Sequence, residues 1–318
     1  MTLPSALSSH SGASVLTHGD ELTPGLPQHL TAFALVALDA GVRVVRFRTL
    51  VSVSLWRAAV VTVCGDAAAA VTPARVGGDP VRFLGFRRSG APASGVLAAF
   101  ALEVCADAVI IGATILLLWA TMARVGAWPA FAAGLPHSRG AAAAVVAVVA
   151  ASVLCAAAAA RFGGRAAKAF GLSLREILHR ARRHPPRSLA IVLGLSVVSW
   201  AARAAVLPAL AAGAPRTTIL SLVLGSLALL VVQVFAPTPA GVGAVDLAFL
   251  AGFSGRLRSG DVLRLLALWR FYTCALAILV GGSLLARAAW KRRTRSRGGA
   301  SGRAGTPEPE EMQPVTEV

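Results

Sequence analysis

The chain has 318 residues, of which 56% are hydrophobic and 14% charged, and a mean hydropathy of +0.70, with apolar runs longer than a soluble helix needs. That excludes an ordinary soluble domain and points to an all-α, polytopic membrane bundle. A formal net charge of +17 would suggest nucleic acid in a soluble chain, but here the arginines sit mostly at the ends of apolar segments, where they set topology and meet anionic lipid.

Residues 1 to 29 lack Lys and Arg, so they have no secretory n-region and read as a disordered leader. A first apolar segment, Leu30 to Val45, is short and carries Asp39 and Arg43, with Arg43, Arg46 and Arg48 as its basic end. A second, Leu50 to Val71, runs into Thr72-Pro73, and a helical stretch then leads to Arg87-Arg88. Ser94 to Ala123 is longer than the roughly twenty residues a crossing requires and contains Glu103 and Asp107. A span at 141–160 and a basic loop at 161–187 link the halves; an amphipathic helix around Leu172 to Arg183 fits in that loop. Leu189 to Ala212, with Arg203, opens the second half, and Thr217 to Ala236 leads into Thr238-Pro239. The last span, Val262 to Leu285, contains Arg270 and ends in basic residues, and 289–318 reads as a disordered cytoplasmic tail. The membrane domain expected from this is 30–288, with pseudo-repeats at about 30–123 and 189–288.

One stretch occurs twice. Thr72 to Leu84 and Thr238 to Leu250 align without a gap and share seven of thirteen residues. Each carries helix breakers, Pro73 in the first and Pro237 and Pro239 in the second, and broken helices in corresponding halves of a membrane protein point to a binding site. If the basic loop and the basic C-terminus are both cytoplasmic, an even number of crossings separates them, so each motif segment enters and leaves from one side. The two then dip in from opposite faces as inverted hairpins; Arg256 and Arg258 speak against this, and a full crossing with a short return helix preserves the same parity.

Asp79-Pro80 reads as an N-cap and first helical residue after the Gly77-Gly78 turn, offering free N–H groups, with Arg75 and Arg82 as cations for a phosphate-bearing head. Asp79 and Arg82, three residues apart, could equally serve only each other. Gly241, Gly243 and Asp246 are the second copy's counterparts, without a matching arginine. Glu103 and Asp107 share a helix face, and two such carboxylates in lipid do not both stay charged; Arg270 is the expected partner from its matching position in the repeat. Arg203 is a further intramembrane charge, with snorkelling as the plain alternative. The four cysteines stand singly and no two of the six histidines have ligand spacing, so neither a metal nor a cofactor is expected.

These motifs resemble the lysylphosphatidylglycerol synthase transmembrane-region family of flippase-like integral membrane proteins. Pro73, Arg75, Gly77, Gly78, Asp79 and Arg82 are similar to its first motif, and Pro239, Gly241, Gly243 and Asp246 to its second. Arg270, Glu103 and Asp107 match further charged positions, whereas Val104 stands where the family usually has arginine. The resemblance implies a multi-pass protein that binds or translocates a lipid with a charged head, an anionic or aminoacylated phospholipid or a polyprenyl-linked lipid. The Ala-, Arg- and Gly-rich composition of a high-GC bacterial genome makes a bacterial cytoplasmic membrane the expected location. The chain stops about thirty residues past its last span, leaving no room for a synthase catalytic domain, and no catalytic constellation is visible. A non-enzymatic flippase is therefore the leading expectation; the alternative is a membrane-embedded enzyme or subunit of lipid-linked glycosyl or aminoacyl transfer, with a transferase or a second copy as partner.

Overall fold

A computed structural model describes residues 23–125, 174–212, 217–253 and 257–301, so the expected span at 141–160, most of the leader and the end of the tail lie outside the described residues. Those residues form helices and turns. The first half comprises α1 (Leu26–Leu50), α2 (Leu55–Val71), a 3-10 turn (Pro73–Arg75), α3 (Gly78–Arg88) and α4 (Ala93–Val125). A short helix, α5 (Leu174–Arg182), follows. The second half comprises α6 (Pro186–Leu210), α7 (Ile219–Phe235), a turn (Pro239–Gly241), α8 (Ala244–Phe253), α9 (Ser259–Arg270), a π turn (Phe271–Ala275) and α10 (Leu276–Ser301).

Proline chemistry sets the breaks. A residue before proline is pushed out of the helical region, and Thr72 and Thr238 are both extended, with ψ of 145° and 155°. After each turn the next helix begins six residues past the threonine, at Gly78 and Ala244. The correspondence extends beyond the motif. The helices before the two breaks, α2 and α7, have 17 residues each, and α1 and α6 have 25 each. The long helix that follows starts at Ala93 in one half and Ser259 in the other, the same spacing from the motif.

The halves pack reciprocally. α1 lies along α6 and the two proline turns touch; α2 packs on α10 while its counterpart α7 meets α4. Such an exchange of equivalent contacts is what a two-fold relation produces. Each half has its own apolar core, around Phe47, Phe86 and Val96 in the first and Trp269, Phe249 and Leu207 in the second. Large apolar side chains such as Trp56, Leu116, Trp119 and Leu247 face outward, as a lipid solvent requires.

Three helical stretches among the described residues are long and apolar enough to cross a membrane: Ala93–Thr121, Pro186–Leu210 and Gly260–Lys291. α1 starts four residues before the expected Leu30 and runs past Val45, because its charges are paired inside the protein and do not end the span. Reading Arg43 and Arg46 as a topological basic end is thus corrected: both are buried, and Arg48 alone of the three is exposed. α5 forms where an amphipathic helix is expected, but it packs against α4, with Ala181 buried on Ala98.

Gly281 brings α10 onto α2: a Cβ there would stand 2.3 Å from the Val63 carbonyl oxygen, whereas one on Gly282 meets nothing within 4 Å. We expect Gly281→Ala to cost about 1–3 kcal/mol through overpacking. Gly282→Ala should be neutral or stabilising by up to about 1 kcal/mol from helix propensity. Thermal unfolding of the detergent-purified protein distinguishes them; equal behaviour would mean that α2 and α10 are not in contact.

Candidate functional site

The first half buries an acid in α2. Asp66 is the one acid of α2, a mostly apolar helix, and a lone carboxylate at membrane depth is costly unless cations meet it. Two do. Arg43 of α1 and Arg82 of α3 each place a terminal guanidinium nitrogen 2.6 Å from the same Asp66 oxygen. Gly65 makes Arg82's approach possible, since a Cβ there would fall 2.4 Å from the arginine's Cγ, and Phe47 lies 5.4 Å beneath the guanidinium.

A second acid joins the halves. Asp39 of α1 accepts from Arg43 at 3.0 Å, from Arg203 of α6 at 2.9 Å and from the Ser199 hydroxyl. Arg43 and Arg203 are each the eighteenth residue of their 25-residue helices, and Asp39 and Ser199 each the fourteenth. The α1–α6 pairing therefore brings two equivalent arginines to one carboxylate. Arg203 belongs to the interior, and the snorkelling alternative falls away.

These groups line a cavity between the halves. Its wall consists of Val36, Asp39 and Arg43 from α1, Asp66 and Ala70 from α2, Arg75 from the first proline turn, Arg203 and Val206 from α6, Leu230 and Gln233 from α7, Tyr272 and Thr273 from the π turn, and Ala277 from α10. Both proline-broken segments thus reach the same space, one through Arg75 and the other through Gln233, whose amide donates to the Ala240 carbonyl of the second turn at 3.5 Å. Tyr272 is tied to the start of α1 by a 3.0 Å hydrogen bond with His29 Nδ1.

Arg75 is unusual in two respects. Its φ is +59°, in the left-handed region that costs a non-glycine residue roughly 1–2 kcal/mol; the matching position in the second turn is Gly241, with φ +72°. Its guanidinium, at the cavity wall, makes no hydrogen bond or ion pair with any described residue.

The other motif residues are differently placed. Gly77, not Asp79, occupies the cap position of α3, and its N–H donates to Thr72 Oγ1 at 2.9 Å. The turn before the helix is closed by threonine, so the expected Asp79 cap is not formed. Asp79 lies in the first turn, its side chain 64% exposed and 3.6 Å from Arg82. Gly78 packs on α2, where a Cβ would meet that of Ala69 at 2.9 Å. Arg82 is bonded to Asp66 behind the cavity, so neither Gly77, Gly78, Asp79 nor Arg82 presents itself to the space that Arg75 faces.

Arg270 is also reassigned. Its Nε donates to Asp246 at 2.6 Å, and its terminal nitrogens lie 3.3 and 3.5 Å from the Ala240 and Gly241 carbonyls. Asp246 in turn accepts from the Gly243 N–H at 2.9 Å. The expected partnership of Arg270 with Glu103 and Asp107 is not observed. Those two acids instead flank Arg46, which donates to Glu103, to Asp107 at 2.7 Å and to the Ser196 hydroxyl at 2.7 Å. Repeat register placed Arg270 opposite them, but α1 crosses between the halves and delivers Arg46 first.

Sequence reasoning missed Asp66 altogether and did not give Asp39, Arg43 or Arg46 an interior role. A signal was present: an acid inside an apolar run is a functional candidate by default, and Asp66 satisfies that as well as Glu103 does. Among the described residues, no group of three or more His, Cys, Asp or Glu could hold a metal ion.

The chain belongs to the lysylphosphatidylglycerol synthase TM region family, whose model matches residues 14–281. No curated protein and no solved structure gives a significant match.

Asp66→Asn removes the shared charge from Arg43 and Arg82 and should destabilise the protein by about 3–5 kcal/mol, the cost of breaking a buried pair. Asp79→Asn, on an exposed pair, should change stability by less than about 1 kcal/mol. Unfolding of the two variants in detergent checks the contrast, and a mild effect at Asp66 would remove it from the centre of the network.

Proposed function

We propose that this protein binds the charged head of a lipid in the cavity between its halves and carries it from one leaflet to the other. The supporting observation is the cavity itself: a space lined by arginines and aspartates where two proline-broken segments approach, in a bundle whose exterior is apolar. Moving such a head through hydrocarbon unaided is prohibitive, because an ion there loses its hydration with nothing in return. Fixed guanidinium groups replace that hydration, and acyl chains can remain in lipid while only the head is sheltered. The cavity, about 60 Å³, is far below the several hundred Å³ of a site enclosing a whole ligand, which agrees with a head entering alone.

Two related halves around a central site suit alternating access, in which one half rocks against the other and exposes the site to each side in turn. In this reading the two broken segments are inverted, and the site lies in a bacterial cytoplasmic membrane. Glu103, buried, and Asp107, half exposed, both meet Arg46, and in this reading that group carries the charge balance of the cycle. Asp246 and Arg270 neutralise each other beside the second turn and keep that turn rigid.

Arg203 offers the cleanest test, because Asp39 keeps Arg43 and Ser199 when it is removed. Arg203→Gln, reconstituted in vesicles with fluorescent anionic lipids, should retain its fold and lose about tenfold or more of its lipid movement. That is the scale of losing one charged hydrogen bond, about 1.5–3 kcal/mol. Equal movement by the variant and the parent protein would place the lipid's path elsewhere.

A further inference from the structure

The cavity's charge and size select among heads. It is lined by three arginines, Arg43, Arg75 and Arg203, against two aspartates, Asp39 and Asp66. Each aspartate already serves two arginines: Asp39 takes Arg43 and Arg203, and Asp66 takes Arg43 and Arg82. A cationic group entering here meets no carboxylate without an arginine on it, and faces the guanidinium of Arg75. An anion meets a guanidinium that makes no hydrogen bond or ion pair with any described residue. Space agrees with charge. A water site takes roughly 10–15 Å³, so a cavity of about 60 Å³ holds about five water-sized positions, the bulk of a phosphorus atom with its oxygens.

We infer that the head taken by this cavity is an unsubstituted phosphate monoester at the end of a lipid, seated on Arg75, and not an aminoacylated or otherwise cationic head. This rests on the reading that the cavity is the headgroup site. A phosphate monoester presents several anionic oxygens in a compact volume, and a guanidinium meets two of them with parallel N–H bonds. A lysyl ester adds ammonium groups, for which the cavity offers no acid that arginines do not already hold. The second half has glycine at the matching position, so the turn itself does not require the arginine.

The test uses the full chain in proteoliposomes and compares four probes: fluorescent phosphatidic acid, fluorescent lysylphosphatidylglycerol, fluorescent phosphatidylcholine and radiolabelled inorganic phosphate. Phosphatidic acid should cross at least about tenfold faster than either of the other lipids, with no uptake of inorganic phosphate. In Arg75→Gly, phosphatidic acid movement should fall at least about tenfold while thermal stability is unchanged or raised, since glycine adopts φ +59° without strain. Should that variant fail to fold, the probe comparison in the parent protein decides alone. Lysylphosphatidylglycerol moving as fast as phosphatidic acid would overturn the assignment and leave lipid carriage standing. Phosphate uptake without lipid movement would also overturn it, in favour of a free anion. Movement of no probe at all would sink both this inference and the reading it rests on. Full activity in a folded Arg75→Gly protein would remove Arg75 from the site.

Discussion

The structure depends on a single electrostatic constraint: a charge held away from water must find an opposite charge within reach. Asp66 and Asp39 are the points where this constraint organises the chain. Asp66 gathers α1, α2 and α3 through Arg43 and Arg82, and Asp39 gathers α1 and α6 through Arg43 and Arg203. Arg43 is common to both, so one side chain of α1 links the first proline-broken segment to the second half. A pair of this kind is not a net source of stability when compared with an apolar replacement. What it supplies is registration: α1 cannot slide or turn against α2 or α6 without leaving a buried charge unmatched.

The proline breaks act on the same space from the other direction. Pro73 and Pro239 end their helices because the preceding threonines are held extended, and the freed backbone groups are then taken up locally. Thr72 accepts from Gly77 N–H, and Arg270 caps the carbonyls of Ala240 and Gly241. Because the two turns touch, the broken segments meet at the centre of the bundle. The ion-paired helices and the first turn thus bound one cavity, with the second turn reached through Gln233, whose amide donates to the Ala240 carbonyl.

The existence of the repeat, and the residues that break it, could be read from Thr72 to Leu84 and Thr238 to Leu250, since proline and glycine act on their own backbone whatever surrounds them. The pairing of charges could not. Which arginine meets Glu103 depends on the angle at which α1 crosses α4, a property of the packed bundle, and register within the repeat pointed to Arg270 where geometry supplied Arg46. Arg43 and Arg46 were hidden by the same ambiguity. An arginine near the end of an apolar run has the same local signature whether it snorkels to the interface or reaches into the protein, and α1's true length, Leu26–Leu50, decides between them. Asp66 stood in plain view within an apolar segment, yet it carried no motif to mark it.

The two halves share a scaffold and differ in charge. In the second half the acid and the arginine beside the turn, Asp246 and Arg270, satisfy each other and the turn's carbonyls. In the first half Arg82 is committed to Asp66, while Arg75, at the position where the second half carries Gly241, is not committed to any described side chain. The surplus charge thus sits on the first turn only, and it is that turn, through Arg75, that lines the cavity. A duplicated fold can close the charges beside one turn and leave one open at the other while keeping the packing that the duplication supplies.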